Sequence, residues 1–299
     1  MKVSYLNDQF FSRLETLALN LRSDLAGYFG GKHLVSTYGQ TVEFADYREY
    51  QLGDDIRRID WNLYSRFEKY FLKLFTDERQ MQVQIFLDCS ASMGKDNEAK
   101  SSYAIATAAA LGFLAVQDMD RLSFHFMREN KSDNPFGSLV GKNAFFRAMG
   151  AIEKMEFDGE IDIEACVKNC PTTGSNNGLT VIISDFLTES DWKKAVEYLR
   201  YKRRQVLLVQ ILTPDEIDPS YDGRVNLIDV ESVDLADVKN MKMKITRSML
   251  KAYEEAMRDF KQDIKNFCSK RDADFISLRT DEPIERVLFS ELLKVGIME

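Results

Sequence analysis

Histidine is nearly missing from this chain. Its 299 residues hold two, His33 and His125, and its four cysteines, Cys89, Cys166, Cys170 and Cys268, form no C-x-x-C pair. Zinc sites are built from clustered His and Cys, so no zinc site is expected, and the thiols read as reduced and mostly buried. Acidic residues outnumber basic ones by 48 to 40, a formal net charge of -8. That balance lacks the surplus of Lys and Arg on which general nucleic-acid binding depends. No uninterrupted apolar run approaches the ~20 residues that span a bilayer, and the opening stretch MKVSYLNDQFFSRLETLALNLRSDL is charged throughout. Neither a transmembrane segment nor a signal peptide is therefore expected, and a cytoplasmic location is. There is no glycine-rich loop followed by Lys and Ser or Thr, which argues against an ATPase activity of its own. Internal repeats and Pro- or Ser-rich linkers are also lacking, so a clean split into two domains is not expected.

What remains is ordinary globular composition, 44% hydrophobic, enough for one large core or two modest ones. Phe10, Leu14, Leu17 and Leu21 recur with helical period between Asn7 and Tyr28, which predicts an amphipathic N-terminal helix. From Tyr38 to Arg79 the chain becomes aromatic and charge-laced, with turn chemistry at Leu52-Gly53-Asp54-Asp55, and short strands and loops are expected. After Met81 apolar strands alternate with helices: strands at Val83 to Leu87, Arg121 to Met127, Leu179 to Ser184, Gln205 to Leu212 and Asp274 to Leu278. The helices fall at Glu98 to Val116, Ala144 to Met155, Asp162 to Cys170, Ser190 to Arg203, Thr246 to Lys270 and Glu282 to Val295. This alternation predicts an α/β fold, a mostly parallel sheet covered on both faces. The expected organisation is an N-terminal helix plus strand-rich extension over 1–80, then the α/β domain over 81–299 with an insertion or edge hairpin near 214–245.

The stretch FLDCSASMG places Asp88, Ser90 and Ser92 at alternate positions directly after a strand. Sites in open parallel sheets lie at the carboxyl ends of strands, and alternate oxygen-bearing side chains can face one locus as hard ligands. A second strand, LTVIISDFL, ends in the same manner at Asp185. Two carboxylates at close range share a proton or bind a cation, and Mg²⁺, which keeps its waters, suits this donor set better than zinc. The competing reading is a capped turn without function.

These residues resemble the metal-ion-dependent adhesion site of von Willebrand factor A domains. Upstream, Glu43-Phe44, Arg48, Tyr50, Gly53, Asp54, Asp55, Arg57, Ile59, Asp60, Trp61 and Arg66 follow the long signature of a bacterial subgroup of these proteins, the domain of unknown function 58 family. The resemblance spans nearly the whole chain. It implies a doubly wound, Rossmann-like von Willebrand A fold, a non-enzymatic protein-interaction module, and a metal site of Asp88, Ser90, Ser92 and Asp185 holding Mg²⁺ or Mn²⁺. It also implies work beside a MoxR-type AAA+ ATPase in chaperone-like or complex-maturation roles. One departure stands out: A domains supply a third hydroxyl from a threonine, and the corresponding place here is Ile161, with Asp162 as a substitute ligand.

Other readings compete. The interleaved charges from Asp46 to Arg66 suit a self-satisfying ion-pair network better than a docking face; were it a docking face, Arg48, Tyr50, Arg57, Trp61 and Arg66 would carry it. A serine hydrolase needs a base near Ser90 or Ser92, yet His33 precedes the sheet and His125 lies within a strand. A metal-dependent hydrolase or phosphatase using Asp88 and Asp185 would need an aspartate where Ser90 stands. A metal-independent scaffold is the last alternative. The apolar stripe Met249, Leu250, Tyr253, Met257, Phe260, Ile264 and Phe267 is expected to pack on the sheet.

Overall fold

The computed structural model describes residues 6–20, 42–51, 56–77, 81–94, 97–117, 120–152, 155–171, 178–188, 190–219, 223–228 and 240–296. These residues divide between two compact units: one takes in the N-terminal helix and everything described from Met81 onward, the other the described part of 26–80.

The larger unit is built on a six-stranded sheet in the order β10-β7-β6-β3-β4-β5. Its strands are β3 (Gln82–Asp88), β4 (Arg121–Arg128), β5 (Lys131–Asp133), β6 (Leu179–Ser184), β7 (Gln205–Leu212) and β10 (Asp274–Arg279). All neighbours run parallel except β4 and β5, which are antiparallel. This is the expected α/β, doubly wound, mostly parallel sheet. The short β5 is an addition, since three residues carry too little periodicity to be read from sequence.

Central strands are buried on both faces, which is why VQIFL and LTVIIS read as continuous apolar runs. One face is covered by α3 (Glu98–Gln117), whose run of alanines lets it lie close against the strands. By length and composition α3 could cross a membrane, but 89% of its apolar window is buried inside the protein. Beside it lie α1 (Asp8–Asn20), α4 (Lys142–Ile152) and α9 (Ile284–Gly296). On the other face Phe86, Ile182 and Leu208 form a core with Cys166, Val167, Trp192, Val196 and Ile264. Those residues come from α5 (Ile163–Lys168), α6 (Trp192–Tyr201) and α8 (Arg247–Ser269).

Two expectations about the larger unit are corrected. The N-terminal helix belongs with the α/β unit and not with the extension of 1–80, because Phe11 packs its ring on Phe113 of α3 and Phe145 of α4 at 5.2 and 5.8 Å. The apolar stripe of α8 is only half used: Ile264 is buried, while Met249 and Tyr253 at the other end are exposed. In the former insertion, α7 (Pro214–Ile217) precedes a hairpin of β8 (Gly223–Ile228) and β9 (Asn240–Ile245), which forms its own two-stranded sheet.

The smaller unit pairs β1 (Val42–Glu49) antiparallel with β2 (Phe71–Asp77), with a register shift between Phe44 and Asp46. Between them a 3-10 turn at Ile56–Arg58 leads to α2 (Trp61–Phe67), where only strands and loops were expected. The helix forms because Asp60 caps it, accepting from the N–H groups of Asn62 and Leu63, and it ends at Glu68 in the left-handed region.

Candidate functional site

The order of the sheet reverses between β3 and β6: β4 continues the chain to one side of β3, while β6, β7 and β10 continue to the other. Ligand crevices of doubly wound sheets open at such a reversal. Asp88 is the last residue of β3, and Ser184 and Asp185 close β6 beside it.

Asp88 is 1% exposed. Its Oδ1 accepts the Ser90 N–H at 2.8 Å, and its Oδ2 accepts the Ser184 hydroxyl at 2.6 Å. Burial, and after it the charge of Asp185, pushes the Asp88 carboxyl up to about 7, against the lowering effect of its bonds to Ser184 and Ser90. Ser90 opens a 3-10 turn, Ala91–Met93, which brings the Ser90 and Ser92 hydroxyls to 3.1 Å from each other. Gly94 then lets the chain leave through a tight gap, since a Cβ there would stand 2.6 Å from Ser101 Cβ and 2.8 Å from the Phe157 ring. On the other side the loop is pinned by the segment before α5: Ala91 N–H donates to Gly159 O, and Asp158 N–H donates to Cys89 O.

Asp185 is equally buried, and both of its oxygens have partners. Oδ1 accepts the Leu187 N–H at 2.9 Å, and Oδ2 accepts from the ammonium of Lys100 at 2.8 Å. Lys100, fully buried in the first turn of α3, also donates to Glu216 Oε1 of α7 at 2.7 Å. Burial alone would lower its pKa, but the charges of Asp185 and Glu216 outweigh that and raise it. The next residue, Phe186, is buried with φ 60°, a strained conformation for a side chain of its size. Its N–H donates to Ser184 Oγ at 3.0 Å, so one hydroxyl joins the strained turn to Asp88.

Asp88, Ser90, Ser92 and Asp185 are thus held at one edge. Asp162 is used otherwise: its Oδ1 caps α5 by accepting the Ala165 N–H at 3.0 Å. Ile161 packs into the core with Met127 and Ile163, and its carbonyl accepts the Thr188 hydroxyl at 3.4 Å. Sequence reasoning overlooked Lys100 and Glu216. A lysine in the first turn of a helix reads as solvated surface, and the available signal was its place on the apolar face one turn before Tyr103 and Ala104.

Among the described residues no group of three or more His, Cys, Asp or Glu side chains is placed to hold a metal. A zinc-type centre does not fit. The donor set is instead one of hard oxygens, two adjacent hydroxyls backed by carboxylates, which suits Mg²⁺. When all are ionised, three carboxylates and one ammonium leave two negative charges, which a divalent ion would balance and which a proton on Asp88 partly relieves otherwise.

As for hydrolase chemistry, both ring nitrogens of His125 contact other groups, Ser123 and Cys170, and the position that a phosphatase requires as aspartate is Ser90. His33 lies outside the described residues, as do Gly53, Asp54 and Asp55.

In the smaller unit Trp61 is 61% exposed. It meets Tyr64 and Tyr70 edge-on, while those two rings stack at 4.7 Å, and Tyr50 meets Tyr70 at 6.3 Å. Arg48, Arg57 and Arg66 are exposed as well. Asp60 accepts from the Tyr47 hydroxyl at 3.2 Å in addition to capping α2.

Residues 46–262 match the family described as "Protein of unknown function DUF58". An uncharacterized protein of Mycobacterium tuberculosis is 26% identical over 273 residues, 90% of this chain and 84% of the relative. Among solved structures, BatB, a conserved hypothetical protein from Bacteroides thetaiotaomicron, aligns over 73% of this chain and 99% of its own at 11% identity and a TM-score of 0.40. The von Willebrand factor type A protein from Catenulispora acidiphila aligns over 46% of this chain and 34% of its own, at 14% identity and a TM-score of 0.33. At these scores the strand order of the sheet itself, not the likeness, defines the fold.

Proposed function

Because this chain belongs to the DUF58 family, whose description assigns no activity, we propose a function from its site: a non-enzymatic protein-interaction module that binds its partner at the carboxyl edge of β3 and β6. The observation that carries this reading is the Ser90 and Ser92 hydroxyl pair, 3.1 Å apart, set over the buried Asp88. The residues that would hold Mg²⁺, or Mn²⁺ in its place, are Ser90, Ser92, Asp88 and Asp185. When bound, the ion supplies a Lewis-acidic point that recognises a carboxylate of the partner. Lys100 holds Asp185 in place through its ammonium, which Glu216 shares. The site acts in the cytoplasm, and its partner is a MoxR-type AAA+ ATPase, as the family resemblance implies.

The test is calorimetric titration of the full chain with Mg²⁺ and with Mn²⁺ near pH 7, in two buffers of different ionisation enthalpy. Saturable binding that releases about half a proton per ion is expected, because Asp88 is about half protonated near pH 7 and binds the ion as the carboxylate. Asp88→Ala should abolish it with the circular dichroism spectrum unchanged. Absence of saturable binding would remove the metal. Co-purification with the ATPase that persists in a folded Ser90→Ala, Ser92→Ala variant would remove the loop as the contact point.

A further inference from the structure

The carboxyl edge makes no use of His125, which lies within β4. Its ring stacks on Phe86 with centroids 4.6 Å apart and 17° between planes. Nε2 lies 3.0 Å from Ser123 Oγ, and Nδ1 lies 3.4 Å from Cys170 Sγ. Serine, imidazole and thiol therefore form one continuous chain of contacts, and all three are buried.

A buried guanidinium lies just before β7. The guanidinium of Arg204 is wholly buried, donating to Thr180 Oγ1 at 2.6 Å and to the carbonyls of Gln82 and Leu179 at 2.9 Å each. Burial lowers its pKa to about 10, and the influence opposing that is the charge of Cys170 as thiolate. Cys170 thus has an imidazole in hydrogen-bond reach, a neighbour that favours a thiolate. Burial, first among the causes, pushes Cys89, Cys166 and Cys268 up to about 12.

Cys170 is 5% exposed, but it lies two residues past the end of α5, between exposed Asn169 and Pro171. Helix ends open at low cost, so a small reagent has a route to the sulfur.

We propose that Cys170 is the reactive thiol of this chain, a modification site for small hydroperoxides and electrophiles, with His125 as its base. With Nε2–H directed at Ser123 Oγ, Nδ1 takes the thiol proton. The thiolate sulfur attacks one oxygen of hydrogen peroxide, an S–O bond forms and the O–O bond breaks. The departing hydroxide recovers the proton from His125 and leaves as water. Cys170 is oxidised to the sulfenic acid and the peroxide is reduced. This chemistry uses no residue of the Asp88 loop and does not depend on its function.

The test treats the full chain under native conditions with hydrogen peroxide and dimedone and, separately, with N-ethylmaleimide, and reads each cysteine by peptide mass spectrometry. Cys170 is expected to label at least about tenfold faster than Cys89, Cys166 and Cys268, as a stabilised thiolate should. Equal labelling of all four, or slower labelling of Cys170, overturns the proposal. His125→Asn should slow Cys170 labelling by about tenfold in a folded chain. If that variant does not fold, Ser123→Ala loosens only the ring's orientation and should slow labelling less. An unchanged rate in whichever folded variant is used overturns the role of His125.

Discussion

Two fully buried cations serve this sheet in opposite ways. Lys100, in the first turn of α3, sits between two carboxylates, and their charges raise its pKa despite burial. Arg204, just before β7, donates to a hydroxyl and to main-chain carbonyls, and burial lowers its pKa to about 10. Charge met by charge holds the turn after β6 and fixes Asp185, whereas charge met by dipoles ties the starts of β3, β6 and β7 together. A buried ammonium between acids organises a site; a buried guanidinium among carbonyls staples strands.

The sharpest break in this comparison is Lys100→Met, which strands Asp185 as a buried charge. Removing one partner of such a pair costs about 3–5 kcal/mol, so urea unfolding should show a midpoint far below that of the parent, with recovery when Asp185→Asn is added. A double variant no more stable than the single would mean that the pair is not what the site rests on. Arg204→Lys keeps the charge but loses the fork, and a loss of about 2–3 kcal/mol is expected from its charge-assisted bonds. Full stability in that variant would show the staple to be dispensable.

Asp88→Asn should act with the opposite sign. The native chain keeps a proton on Asp88 up to about pH 7, while the unfolded chain releases it near the ordinary carboxylate value. Native Asp88 therefore costs stability that grows as pH rises through that window and then levels off. Without metal, Asp88→Asn should raise the stability at pH 8 by about 4 kcal/mol, a gain that all but vanishes at pH 4. A pH-independent difference would show that the substitution acts through packing. Smallest of all is Trp61→Ala in the smaller unit, where exposure limits the change in stability to about 0.5 kcal/mol.

The strand and helix alternation was legible because central parallel strands must be apolar throughout, and VQIFL, LTVIIS and QVLLVQIL are. Asp88 and Asp185 were legible because they end such runs. The counter-charge of Asp185 was not, since Lys100 lies 85 residues away in the chain and no periodicity records that meeting. The helix Trp61–Phe67 was concealed by aromatic residues that suit strands equally well, and only the Asp60 cap could have declared it. Ile161 was read as a ligand position lost, and the fold gives it another role as a core residue beside Met127. For α8 the stripe was real, but periodicity shows an apolar face without showing how much of its length is covered.

The short β5 has a bearing on how this protein keeps its own company. It is a three-residue antiparallel strand, with Lys131 and Asp133 exposed. A long parallel strand such as β4 left open would offer a row of free amides and carbonyls as a template for another chain. By turning back and ending in charge, the chain blunts that border, and sheet growth from copy to copy has no footing there.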